Sequence, residues 1–272
     1  MELGIIGTGN IGSMLARAWL ASGQVERIHL CNRSADKVEA LASTCGEGAV
    51  VHRSPEELVR AVSWVIVCVK VEDARTLLPT IAPLFPDNGL LVSTNSALSL
   101  CELESIVPCY VAKLIPSVTQ EVGAGALLVM PSARLSKQDA PSVAALRALW
   151  GALQAIGSPY AIPEESLRVY SDMTSCGPAF LAQWLASFAQ SAASRGVPLT
   201  VAQSLLADMA YGVGKLCQSG YRLEDITARV AVPGGVTSAG LQVLDDASTG
   251  VFDRLLEATA QRQADIAKHG HR

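Results

Sequence analysis

The segment Leu3-Gly4-Ile5-Ile6-Gly7-Thr8-Gly9-Asn10-Ile11-Gly12 places glycines in the spacing G-x-G-x-x-G directly after a short apolar run. That order predicts a buried strand, a tight turn and the opening of a helix. Gly7 permits backbone angles that other residues avoid. Gly9 leaves out a side chain where a pyrophosphate has to approach, and Gly12 lets the helix pack on the strand. The free N–H groups of the first helical turn, at the positive end of its dipole, then face an anion. Gly7, Thr8, Gly9, Asn10, Ile11 and Gly12 are therefore candidate contacts to a dinucleotide, with a turn serving packing alone as the alternative. The context favours the dinucleotide: Met14-Leu15-Ala16-Arg17-Ala18-Trp19-Leu20 continues as an apolar-rich helix, and a second strand, Arg27–Cys31, follows.

Asn32-Arg33-Ser34 comes next, where an NAD-preferring fold offers a carboxylate to the ribose 2′-hydroxyl. No carboxylate stands there to repel a 2′-phosphate. Asn32 and Ser34 can hydrogen-bond, and the Arg33 guanidinium can stack on adenine or pair with phosphate, so NADP(H) is expected over NAD(H). An ordinary turn with Ser34 as N-cap is the competing reading. Val69 and Lys70 after the fourth expected strand, and Asn95 and Ser96 after the fifth, are candidates for the ribose and nicotinamide side; for Lys70 a solvated loop position is the alternative.

Two further segments stand out in the second half. Thr174-Ser175-Cys176-Gly177-Pro178-Ala179-Phe180 is a polar turn entering an apolar helix. Val232-Pro233-Gly234-Gly235-Val236-Thr237 precedes a helix with backbone N–H groups suited to a small carboxylate, and Thr237 adds a hydroxyl to the same turn. As structure alone these are a helix N-terminus and a glycine-rich elbow.

The elements that must carry these residues follow from periodicity. Short apolar runs at Glu2–Ile6, Arg27–Cys31, Ala49–His52, Trp64–Val69, Leu90–Thr94, Tyr110–Leu114 and Ala126–Met130 alternate with helical patterns, which predicts βαβ units and a doubly wound, Rossmann-type parallel sheet over residues 1–162. Ser54-Pro55-Glu56-Glu57 supplies an N-cap, a proline at the first helical position and a capping-box glutamate. Beyond Pro163 only helical patterns are found, so residues 163–272 are expected to form an all-α domain. Pro178 to Arg195 is nearly uncharged, Thr200 and Gln203 read as a capping box for a helix over Val201–Ser219, and a last helix runs from Val251 to Lys268. An almost charge-free helix in a small domain needs burial, and a partner subunit is the simplest source; a homodimer is expected.

Composition excludes several classes. The 272-residue chain is 50% hydrophobic with net charge −4, without a basic run and with few aromatics, which argues against nucleic acid as a partner. Apolar stretches stop short of membrane-spanning length and no leader precedes the first strand, so a cytoplasmic protein is expected. Seven scattered cysteines without C-x-x-C, and four histidines placed near strands (His29, His52) or in a tail expected to fray (His269, His271), argue against disulfides and metal.

Taken together, Gly-Thr-Gly-Asn-Ile, Asn32-Arg33-Ser34, the turn at Ser175-Cys176-Gly177-Pro178 and Pro233-Gly234-Gly235-Val236-Thr237 resemble the Δ1-pyrroline-5-carboxylate reductases over essentially the whole chain. The resemblance implies an N-terminal Rossmann domain, a helical domain interlocked in a dimer that often assembles further, and NAD(P)H-dependent reduction of the cyclic imine to proline. It also implies that the N–H groups of Gly234, Gly235 and Val236 hold the substrate carboxylate, that Ser175, Cys176, Gly177 and Pro178 form the other wall, and that Thr237 is the catalytic donor to the ring nitrogen. A nucleophilic Cys176 has no histidine near it in sequence. Departures from the family are concentrated at the substrate end. Thr174-Ser175-Cys176 stands for Ser-Gly-Ser, Phe180 for Tyr, Ile115-Pro116-Ser117 for Met-Pro-Asn, and Val236 for Thr. Val232 replaces a serine, and Ser219-Gly220-Tyr221-Arg222 replaces an acidic-His-Pro turn. This set is similar to the late-competence ComER branch. The alternatives are a catalytically weak, dinucleotide-binding regulatory paralogue, favoured by Val232, Val236 and Gly220, and a β-hydroxyacid dehydrogenase relative. The latter would require a catalytic helical lysine; Lys215 is the only lysine between Lys137 and Lys268 and sits late in its helix.

Overall fold

The computed structural model describes residues 1–269, with side chains described to Asp265. The expected fraying around His269 and His271 falls at and beyond the end of the described residues. Two compact units are found, Met1–Pro178 and from Ala179 onward.

The first unit is built on one eight-stranded sheet in the order β3-β2-β1-β4-β5-β6-β7-β8. Its strands are β1 (Glu2–Ile6), β2 (Arg27–Cys31), β3 (Ala49–Val51), β4 (Trp64–Val67), β5 (Leu90–Ser93), β6 (Tyr110–Ile115), β7 (Ala126–Pro131) and β8 (Ser158–Ala161). All neighbours are parallel except β6 and β7. The helices between them are α1 (Asn10–Ser22), α2 (Ala35–Cys45), α3 (Pro55–Ala61), α4 (Val71–Ile81), α5 (Leu100–Ile106) and α6 (Ala140–Gln154). α7 (Leu167–Ser171) follows, then a π-helical turn over Asp172–Cys176. The chain reverses its direction across the sheet between β1 and β4, so the carboxyl ends of those strands open a crevice.

Successive side chains of a strand point to opposite faces, and here both faces are covered. Leu3 and Ile5 of β1 join Met14, Leu15 and Trp19 of α1 and Leu149 and Leu153 of α6 in one core. Ile6, Val65 and Val67 join Leu58 of α3 and Leu78 of α4 in the other. Each such leucine, fully withdrawn from water, contributes roughly 1.5–3 kcal/mol. The indole N–H of Trp19 donates to the Ala152 carbonyl at 2.8 Å, which ties α1 to α6 through the interior.

Local signals act largely as expected. Ser54 caps α3, accepting from the Glu57 N–H at 3.2 Å, with Pro55 at the first helical position. The Glu57 carboxylate reaches back to the Arg53 N–H at 3.0 Å, one residue earlier than a regular capping box would place it. The strands after which the crevice opens end sooner than their apolar runs: β3, β4 and β5 stop at Val51, Val67 and Ser93. His52, Val69 and Thr94 thus belong to the connecting loops. β8 is absent from the sequence expectation because Ser158-Pro159-Tyr160-Ala161 has an edge strand's mixed exposure and a proline.

The second unit comprises the length of α8 (Gly177–Ala193) from Ala179, then α9 (Leu199–Gln218), α10 (Leu223–Val230), α11 (Val236–Ser248) and α12 (Val251–His269). Among the described residues no strand follows Ala161. The expected capping box at Thr200 and Gln203 is corrected: α9 begins at Leu199 with Pro198 at the cap and no capping side chain. Thr200 is already helical, and an N-cap side chain works from extended backbone outside the helix. Ala189 and Ala202 are the unit's fully buried apolar residues among those described, while Leu181, Trp184, Phe188, Leu205, Met209 and Phe252 are exposed.

One polar chain crosses the face of β1 and β2 that α3 approaches. Glu2 Oε2 meets His29 Nε2 at 3.2 Å, and His29 Nδ1 meets His52 Nε2 at 2.8 Å, with the two rings stacked. A ring N–H must donate to a neutral ring nitrogen here. Burial first and the neighbouring His29 second hold His52 below its ordinary value of 6.5, while Glu57 opposes them. The folded state therefore binds fewer protons than the unfolded chain, and His52 adds stability that is complete above 6.5 and lost as pH falls through its folded value. The melting temperature is expected to drop between about pH 7 and pH 5, with His52→Gln flattening the slope; an unchanged slope would exclude the histidine pair as its source.

Candidate functional site

The crevice at the switch point is a cavity of about 760 Å³ lined by Gly7, Gly9, Asn32, Arg33, Ser34, Lys37, Arg53, Cys68, Val69, Lys70, Glu72 and Asp73 among others. The structure therefore brings Gly7, Gly9, Asn32, Arg33, Ser34, Val69 and Lys70 together, as the sequence reading expects. Thr8, Asn10, Ile11 and Gly12 continue the glycine turn into α1. Asn95 is joined to the site through its Nδ2, which donates to the Val69 carbonyl at 3.4 Å.

Each glycine of the turn is required for a different reason. Gly7 has φ +98°, and a Cβ there would lie 2.7 Å from the Cys68 carbonyl oxygen. A Cβ on Gly12 would lie 2.0 Å from the Gly7 carbonyl oxygen, so only glycine lets α1 rest against the turn. A Cβ on Gly9 would meet nothing within 4 Å. Protein packing does not explain that glycine; a ligand approaching the start of α1 does. Thr8 agrees with this: it is 5% exposed, and its hydroxyl has no partner among the described residues. Its N–H donates to the Asn32 side chain at 3.3 Å, which holds the first and second strand ends together. An open cradle and an orphaned hydroxyl at a helix N-terminus fit a dinucleotide's phosphates.

Arg33 reaches across the crevice, its Nη1 3.4 Å from Asp73 Oδ1 on α4. Two cysteines in the walls have their thiols pushed up. Burial lifts Cys68 to about 12. Burial, followed by Glu56 and Glu57, lifts Cys31 to about 11. Among the described residues no group of His, Cys, Asp and Glu side chains is arranged to hold a metal ion, and no helix is long and apolar enough to cross a membrane.

Sequence reasoning missed Lys37, Arg53 and the ion pair Lys113–Glu164, in which the lysine is buried and the carboxylate half-buried. Lys113 lies mid-strand in β6, 1% exposed, and its ammonium donates to Glu164 Oε1 at 2.6 Å and to the Ser96 carbonyl at 3.2 Å. Glu164 also accepts from the Leu100 N–H at 3.0 Å, at the start of α5. One ion pair thus fixes the loop carrying Asn95 and Ser96. The signal was a charged residue inside the apolar run Tyr110–Ile115.

On the substrate side, Ser175 Oγ donates to the Pro116 carbonyl at 3.0 Å, so the wall expected at Ser175, Cys176, Gly177 and Pro178 is tied to the end of β6. Arg168 pairs with buried Asp172 and donates to Cys176 Sγ at 3.5 Å within the π-helical turn. The Ser117 hydroxyl is buried and without a partner among the described residues. In the second unit Gly235 caps α11, which Val236 and Thr237 open. The carboxylate role expected of all three N–H groups needs one correction: that of Gly235 donates to the Val232 carbonyl at 2.9 Å, closing the turn. Lys215 lies over the Tyr211 ring at 5.9 Å.

The two glycines separate binding from folding. Gly9→Ala is expected to melt with the native protein while its dinucleotide affinity falls at least about tenfold, about 1.4 kcal/mol. Gly12→Ala is expected to lower the melting temperature itself. Calorimetric titration beside thermal unfolding checks both, and native affinity in Gly9→Ala would remove the phosphates from that position.

Comparison with known proteins places this geometry. The family model for pyrroline-5-carboxylate reductase dimerisation matches residues 164–266, and the coenzyme F420-dependent NADP oxidoreductase model matches residues 2–96. The chain is 31% identical to ComE operon protein 4 of Bacillus subtilis, over 95% of its own length and 94% of that protein's. It is 26% identical to pyrroline-5-carboxylate reductase 3 of the same organism, over 96% and 95%. Its fold is shared with a pyrroline-5-carboxylate reductase from Coxiella burnetii, at TM-score 0.86 and 18% identity over 97% of each chain. It is shared also with the Plasmodium falciparum enzyme solved with NADP bound, at TM-score 0.78 and 20% identity over 100% and 98%. A Rossmann sheet with a phosphate cradle at its switch point, an all-helical second unit and these relatives along nearly the whole chain lead to one assignment: the chain belongs to the pyrroline-5-carboxylate reductase family.

Proposed function

We propose that this chain is a cytoplasmic oxidoreductase that uses NADP(H) in preference to NAD(H) to reduce Δ1-pyrroline-5-carboxylate, or a closely related cyclic imine, to L-proline or its analogue. The observation that carries the reading is the cradle at Gly9, empty of protein and flanked by Asn32, Arg33 and Ser34 without a carboxylate among those three. The bound nicotinamide dinucleotide supplies the hydride. The α1 N-terminus and the glycine turn hold the pyrophosphate, Asn32, Arg33 and Ser34 receive the adenosine end with its 2′-substituent, and Val69, Lys70, Asn95 and Ser96 set the ribose and nicotinamide side. The N–H groups of Gly234 and Val236 hold the substrate carboxylate, while Ser175, Cys176, Gly177 and Pro178 bound the ring. Placement does most of the work, because an imine carbon needs a near-attack geometry more than a strong base. The Thr237 hydroxyl donates to the ring nitrogen as electron density builds there.

Residues 1–162 are assigned to the cofactor and 163–272 to substrate and dimerisation. A second copy covers the apolar side chains the helical unit leaves exposed, Trp184, Phe188 and Leu205 among them. A second functional reading, a weakly active dinucleotide-binding regulator, is favoured by the similarity to ComE operon protein 4 and by exposed Val232 and Val236, where the substrate turn has lost polar groups.

NADPH oxidation with pyrroline-5-carboxylate decides between the two: turnover supports the reductase, and tight NADPH binding without turnover supports the regulator. Thr237→Ala is expected to lower kcat about 10²-fold with NADPH affinity unchanged; native kcat would remove the donor role from Thr237. Phe188→Glu is expected to elute as a monomer in light-scattering chromatography, and a persisting dimer would place the subunit contact elsewhere.

A further inference from the structure

The cofactor crevice carries more positive charge than Asn32-Arg33-Ser34 accounts for. Four cations line it, Arg33, Lys37, Arg53 and Lys70, against two carboxylates, Glu72 and Asp73, in a chain whose net charge is −4. Arg33 is already engaged by Asp73 across the opening. Lys37, Arg53 and Lys70 have no ion-pair partner among the described residues.

The sheet fixes where Arg53 must stand. β2 and β3 run parallel with Ile28 opposite Ala49, His29 opposite Val50 and Leu30 opposite Val51, and the His52 N–H still donates to the Leu30 carbonyl at 2.9 Å. Continuing that register sets Arg53 beside Asn32, so the loops after β2 and β3 leave the sheet side by side. The Arg53 N–H is pinned by Glu57 at 3.0 Å, which holds its backbone while its side chain remains exposed in the crevice wall. A group carried on the ribose 2′ position, next to Asn32 and Ser34, lies between these two loops.

We propose that Arg53 is the main charge partner of the cofactor's 2′-phosphate and sets the discrimination between NADP(H) and NAD(H), while Arg33, held to Asp73, closes over the adenine as a planar lid. This rests on the dinucleotide reading above and changes which residue makes the choice. A guanidinium tied to a carboxylate has that charge partly satisfied, and a phosphate must compete with Asp73 for it. A guanidinium on a fixed backbone with no carboxylate within ion-pair distance can meet a phosphate through paired N–H groups. Lys37, from the first turn of α2, adds a point charge to the same wall.

The test uses adenosine 2′,5′-bisphosphate and adenosine 5′-monophosphate, which differ only in the 2′-phosphate, titrated into the intact protein by calorimetry. Arg53→Ala is expected to weaken the bisphosphate at least about tenfold and the monophosphate less than about twofold, with a shallower dependence on salt for the former. Arg53→Lys should restore part of the loss. Arg33→Ala should weaken both ligands alike, as loss of an adenine cover would. An unchanged bisphosphate preference in Arg53→Ala, or one abolished by Arg33→Ala alone, overturns the assignment and leaves the NADP(H) reading standing. Equal binding of the two ligands by the native protein overturns both.

Discussion

The contact on which this molecule is organised is the one between the backbone of α1 and the turn that delivers it. α1 must start against the end of β1, close enough that a single carbon on Gly12 would overlap the Gly7 carbonyl. That closeness aims the helix N-terminus at the switch point rather than at solvent, and it lets Met14, Leu15 and Trp19 reach the core across the sheet. The phosphate cradle and the larger hydrophobic cluster therefore share one geometric requirement.

From that point the site is assembled by loops that leave adjacent strands at the same level. Thr8 is joined to Asn32, Asn95 to Val69, and Ser96 to Lys113. These are side chain–backbone contacts, which fix loop position without demanding a particular loop sequence. The Lys113–Glu164 pair is the most demanding member of the set, because losing the half-buried Glu164 would leave the buried Lys113 charge uncompensated. Its value is reach: Glu164 belongs to the segment leading into α7, so one pair couples the cofactor loops to the Ser175 wall within the first unit.

What the sequence made legible follows from this arrangement. Strands covered on both faces read as unbroken apolar runs, so β1 to β7 were recognisable in order. β8 was not, since an edge strand with Pro159 carries no such run. The glycine turn was legible because its spacing encodes a local geometry. Arg53 was not, because its relevance comes from strand pairing between β2 and β3, a relation no local pattern carries. Lys113 was missed: a single charge inside an apolar run does not name its partner, which lies far along the chain. The Gly235 N–H shows the opposite limit: a Pro-Gly-Gly turn announces free donors, and the turn's own closure uses one of them.

The two cysteines that line the crevice have a consequence for durability. With Cys68 at about 12 and Cys31 at about 11, both are thiols at neutral pH. Peroxides and electrophiles react with thiolates, so these side chains offer them almost nothing to attack. Sulfur here serves as small apolar filling that keeps the walls tight. At these two positions the crevice walls therefore hold sulfur in its protonated form, the form less open to oxidants.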